Sequence, residues 1–182
     1  MSREELLQKL QKENGIIENA VKEGVNKDTI KYAKKFGEYL AREKDDAEEK
    51  ETRTFWGKEA EVGVVFKKLT TSQVRKFFGE VKRQQMTGYI PSSFVLLKPK
   101  LAYAVGRAEK KEPQKPGQKI EKSKIIDFYN VLAVAIDTVI IEEEKEKKEE
   151  GEKGGKAFKN FIDLFEAIVA YHKYAEAGNA QK

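Results

Sequence analysis

The sequence predicts an all-α protein, a small helical bundle of about five core helices with charged inserts. Three observations carry that prediction. The last segment, residues 156 to 177, sets Phe158, Phe161, Ile162, Phe165, Ile168 and Val169 on one face at the three- and four-residue steps of a helix. Thr70 followed by Gln73 has the capping-box pattern, and Val74, Phe77, Phe78 and Val81 then repeat at helical spacing. The segment from Ser123 to about Lys147 is apolar on a wide surface and carries no turn signal. Its valines and isoleucines leave a strand over 131 to 141 as the alternative; its length favours a helix.

The chain has 182 residues, the size of one domain with a real core. It is 39% hydrophobic and 37% charged, against roughly 25% charged in an average globular protein. There is no cysteine, which removes disulfides, thiolate nucleophiles and zinc–thiolate sites. His172 is the single histidine, so a histidine-based metal cluster is excluded too. The net charge of +5 is uneven: Glu43 to Glu51 carries −4 and Glu142 to Lys153 carries −3, leaving +12 on the remainder. A basic body with two acidic runs points to a polyanionic partner. The acidic Met1–Glu5 start lacks the apolar core of a signal peptide, and the densest apolar run, Val131 to Ile136, is too short to span a bilayer. No membrane contact and a cytoplasmic location are expected.

In chain order, residues 1–27 read as an N-terminal arm or short helix. Ser2 caps a helix over 2 to 13, and Asn14-Gly15 ends it. A single bundle domain over 28–177 follows, then a tail, 178–182. Asp28 is expected to cap a helix whose stripe holds Tyr32, Ala33, Phe36, Tyr39 and Leu40. The charged insert 43–66 shows no clear helix, because Gly57 and Gly63 interrupt it. Its Val62 to Phe66 end reads as a short strand or an extended segment, and no sheet is expected overall. Trp56 is expected to pin the insert to the body. After the Thr70 helix closes at Met86 to Tyr89, Pro91 and Ser92-Ser93 start a segment from Phe94 to Lys111. Pro99 there implies a kink or a junction of two helices. Residues 112–119 form a loop rich in proline and glycine, and 142–155 a solvated charged run.

No catalytic constellation emerges. Gly154-Gly155-Lys156-Ala157 lacks the earlier glycine of a phosphate loop and has alanine where Ser or Thr must hold magnesium. His172 sits on an apolar stripe, as a core or interface histidine would. The expectation is therefore no enzyme, no cofactor and no metal. Basic residues give the stronger signal. Arg75, Lys76, Lys82 and Arg83 avoid the apolar face of their helix, Lys67 and Lys68 extend the patch, and Lys98, Lys100, Arg107 and Lys111 form a second set. Basic groups along two helices suit a phosphate backbone, and an ordinary solvated face is the equal alternative. Gly79, in mid-helix, is explained by close approach of a strand or a neighbouring backbone.

Three blocks then carry a resemblance: Leu69-Thr70-Thr71-Ser72-Gln73-Val74-Arg75-Lys76-Phe77-Phe78, the run Leu97 to Arg107, and Glu166 to Lys173. In this order, across residues 28 to 177, they resemble the signature blocks of the small subunit of the type III-A CRISPR effector, the Csm complex, an antiviral defence ribonucleoprotein. The resemblance implies a non-catalytic bundle of about five helices. Copies of it stack along the effector beside the other Csm subunits, and an isolated homodimer is compatible with this. It also implies a basic surface that lines the channel of the guide–target duplex and contacts target RNA. Arg75, Lys76, Lys98, Lys100 and Arg107 are the RNA-facing positions it implies. Lys82 and Arg83 extend them along the same helix. Val105 and the insert depart from the family pattern.

Overall fold

The computed structural model describes residues 14–43, 49–108, 119–150 and 155–179. Among these, the order is α1 (Asn14–Glu23), α2 (Lys27–Ala41), β1 (Glu49–Phe55), β2 (Lys58–Lys67), α3 (Thr71–Thr87), α4 (Pro91–Val95), α5 (Leu97–Ala108), β3 (Ile120–Ser123), α6 (Ile125–Glu150) and α7 (Lys156–Asn179). The helix expected over 2 to 13 lies outside the described residues, as does the loop expected over 112–119 except for Lys119. Asn14 and Gly15, expected as a helix stop, are themselves helical.

The expected helical bundle is present, built around α6 and α7. α2 lies along α7, α1 packs against both α6 and α7, and α5 lies on α6. Leu132, Ala135, Ile136 and Val139 of α6 meet Phe161, Leu164, Phe165 and Ile168 of α7 in a core from which water is excluded. Residues 131 to 141 are helical, so the strand alternative is not adopted. Phe165 is the hub of an aromatic cluster: Phe77 meets it edge-on at 5.6 Å and Phe78 stacks on it at 5.9 Å. α2 approaches α7 closely because Gly37 has no side chain. A Cβ there would stand 2.6 Å from the backbone nitrogen of His172. His172 is buried, its Nε2 2.9 Å from the carbonyl oxygen of Leu69, the core position its stripe implies.

A three-stranded sheet, order β1-β2-β3, corrects the expectation of no sheet. β1 and β2 form an antiparallel hairpin, and β3 adds parallel to the end of β2. Along β2, Val62, Val64 and Phe66 alternate with more exposed residues and build a small separate core with Phe55 and Ile120. The hairpin turns through Trp56-Gly57, with φ of 49° and 79°, the two positive values a type I′ turn needs. Trp56 is 80% exposed. Its ring meets Phe55 of its own hairpin, at 6.4 Å, and it does not pin the insert to the body.

Helix ends bring further corrections. Asn26, not Asp28, caps α2: its Oδ1 accepts from the N–H groups of Asp28 and Thr29 at 2.9 and 3.0 Å. The expected junction of two helices is present, at Leu96 between α4 and α5, and Pro99 falls in the first turn of α5, where its missing N–H has no intrahelical role. Glu143, expected to be solvated, is buried and accepts the N–H of Phe158 at 2.9 Å, capping α7. The wholly buried Lys124 donates to the carbonyls of Tyr39 and Arg42 at 3.0 and 3.1 Å, closing the C-terminal end of α2.

Candidate nucleic-acid interface

Two helices build the candidate site. The capping box fixes the start of α3: Thr70 N–H donates to Oε1 of Gln73 at 2.9 Å, and Gln73 N–H donates to Oγ1 of Thr70 at 3.3 Å. Val74, Phe77 and Val81 then turn into the core, Gln84 is buried with its side chain bonded to Ser93, Phe78 packs on Phe165, and Arg75, Lys76 and Arg83 are exposed. α5 anchors itself through Leu97 and Leu101 and leaves its other residues at the surface.

Between these helices lies an open cleft of about 360 Å³. Its floor is apolar, made by Phe77, Leu101, Ala104 and Ala108. Lys76, Lys100 and Arg107 line it, bringing together basic residues from two separate stretches of sequence. Tyr103, 69% exposed, stands in it with the Arg107 guanidinium 5.9 Å from its ring centroid. Gln73 and Glu80 supply the other polar groups. Glu80 is bonded by Lys100 and, at 2.9 Å, by Arg83. The Lys100 hydrogen bond first, then that of Arg83, holds its carboxyl below the ordinary carboxylate value.

The seven basic positions singled out from sequence do not form one continuous surface. Lys76, Lys100 and Arg107 share the cleft. Arg75 is exposed on α3, and neither it nor Lys76 has an ion-pair partner among the described residues. Lys82 turns the other way, to Glu166 of α7 and to Gln85 at 2.9 Å, with the Phe78 ring 5.4 Å away. Arg83 touches the cleft only through Glu80. Lys98 faces α6, bonded to both carboxylate oxygens of Asp137 at 2.8 and 2.9 Å. Of the flanking lysines, Lys67 pairs with Glu121 at 2.7 Å and Lys68 with Glu43 at 3.0 Å; Lys111 lies outside the described residues. Gly79 has open space where its Cβ would be, so no backbone among the described residues approaches it from outside its own helix.

Three cleft residues are not among the positions that sequence reasoning assigns to the site. Tyr103 shares a stripe with Arg107, and an aromatic four residues before an arginine on a helix is the signal that points to it. Gln73 reads in sequence only as a cap, and Glu80 gives no signal there. No group of three or more His, Cys, Asp or Glu able to hold a metal occurs among the described residues. None of the described helices is long and apolar enough to cross a membrane.

A family model described as Csm2 Type III-A matches residues 49–177. The match starts at the first residue of β1, so it takes in the hairpin that sequence reading sets apart and leaves α1 and α2 outside. No curated protein and no solved structure matches the chain.

Proposed function

The chain belongs to the Csm2 family of type III-A CRISPR subunits, and from that premise we propose that it is a non-catalytic RNA-binding subunit. It lines the channel of the guide–target duplex and holds target RNA through its backbone, without reading sequence. Its partners are target RNA, the other Csm subunits and further copies of itself. The convergence of Lys76, Lys100 and Arg107 on one cleft, with Arg75 exposed beside it, carries this reading. Cations that arrive from two helices at one groove can neutralise successive phosphates, and each such pairing releases counterions. Sequence would then be read by the guide through base pairing, as in other RNA-guided effectors.

Filter binding of single-stranded RNA across a salt series tests it. The wild-type protein should bind weakly and without sequence preference. Replacing Arg75, Lys76 and Arg107 together by alanine should lower the log–log salt slope by about 0.7 for each phosphate that is no longer neutralised. An unchanged slope and affinity would remove this face from the RNA-binding surface.

A second reading has its own support. Lys82, Arg83, Lys98 and Lys100 are already paired to carboxylates within the chain, as on a face that serves only structure. In that case the protein is a helical adaptor whose basic surface meets an acidic protein. The triple variant would then fail to co-purify with the effector, and the isolated wild-type protein would not bind RNA.

A further inference from the structure

We infer that the α3–α5 cleft takes an unstacked base of single-stranded RNA, stacked on Tyr103, as well as the phosphate beside it. This rests on the reading of the cleft as an RNA surface and goes beyond backbone contact. A groove that met only phosphates would have no need of an apolar floor. Here Phe77, Leu101, Ala104 and Ala108 form such a floor beneath a cationic rim. An apolar planar group joined to an anion fits both parts, and that is the chemistry of a nucleotide. The cleft's roughly 360 Å³ lies at the lower end of the range for small-molecule sites, about 300–1,000 Å³.

The polar groups give the occupant an orientation. Arg107 and Lys76 offer charge without a competing carboxylate of their own among the described residues, which places the phosphate at their end. Glu80, held ionised by Lys100 and Arg83, repels a phosphate and accepts hydrogen bonds, so the base edge belongs on its side. The Oε1 of Gln73 is taken by the backbone N–H and hydroxyl of Thr70, both at 2.9 Å. Its NH₂ group remains to donate to a phosphate oxygen at the Lys76 end. Tyr103 has most of its ring in solvent, the state of an aromatic platform before a base arrives. A base inside a duplex cannot reach this ring, so the occupant is a target nucleotide that is not paired to the guide.

Fluorescence anisotropy with two strands of equal length, an oligoadenylate and an abasic oligoribose phosphate, separates this from plain phosphate binding. The full chain should bind the oligoadenylate more tightly than the abasic strand. Tyr103→Ala should weaken oligoadenylate binding about tenfold and leave abasic binding unchanged, and Tyr103→Phe should bind as wild type. The tyrosine is a surface residue, so the alanine variant should keep the wild-type melting temperature. Equal affinities of wild type and Tyr103→Ala for the oligoadenylate would overturn the base site, as would equal losses on both strands. Failure of the wild-type protein to bind either strand at low salt would overturn the RNA reading itself, and the base site with it.

Discussion

At the scale of single residues, two helical glycines look alike in sequence and differ in the fold. Gly79 sits in α3 with open space at its Cβ position, whereas Gly37 sits in α2 with the α7 backbone 2.6 Å from that position. Gly79→Ala should stabilise the isolated protein by about 1 kcal/mol, the ordinary helix-propensity difference. Gly37→Ala should destabilise it by about 1–3 kcal/mol, because backbone and not a flexible side chain must yield. Urea denaturation of both variants checks the pair, and shifts of the same sign would contradict it. The close approach expected at Gly79 is absent among the described residues, and the one at Gly37 is not expected from sequence. A spacing pattern shows where a glycine interrupts a helix, not what lies opposite.

Among the elements, the hairpin is the hardest to read from sequence and the helices are the easiest. β1 reads Glu49-Lys50-Glu51-Thr52-Arg53-Thr54-Phe55, with charges on both faces and so no period of two. Its ladder is held by backbone pairing to β2 and by Glu51, which reaches Lys122 on β3 and Arg53 at 2.8 Å. The alternation of Val62, Val64 and Phe66 is visible, but its partner strand is not. The turn adds to the difficulty, since tryptophan stands where a type I′ turn favours Asn. Trp56→Asn should therefore raise hairpin stability by about 1 kcal/mol, the relief of a left-handed backbone at a bulky residue. Amide hydrogen exchange along β1 and β2 would register it as increased protection. α3, α6 and α7 are legible because stripe, cap or length agree in each. The cleft is half legible: helix faces give Lys76, Lys100 and Arg107. The stripe shared with Arg107 points to Tyr103 as well; Gln73 and Glu80 need the crossing of α3 and α5, a tertiary fact.

For the whole molecule, the family match and the folded core do not coincide. α1 lies outside residues 49–177, yet its Ile17, Ala20 and Val21 are fully buried. Ile17→Ala should cost about 2–5 kcal/mol, the range for emptying a filled core site. A melting temperature within error of wild type would mean that the matched region is stable by itself. The pairing of β2 with β3 affects the molecule in another way. The chain leaves β2 at Lys67, runs through α3, α4 and α5, and returns to the same sheet at Ile120, with Val64 to Lys67 lying beside Ile120 to Ser123. The Lys124 N–H closes the junction on the Lys67 carbonyl at 3.0 Å. Topologically the cleft is carried on a lariat whose neck is a parallel strand pair. Tension on the chain outside the neck loads those hydrogen bonds in shear, and the helices within the loop bear none of it until the neck gives way.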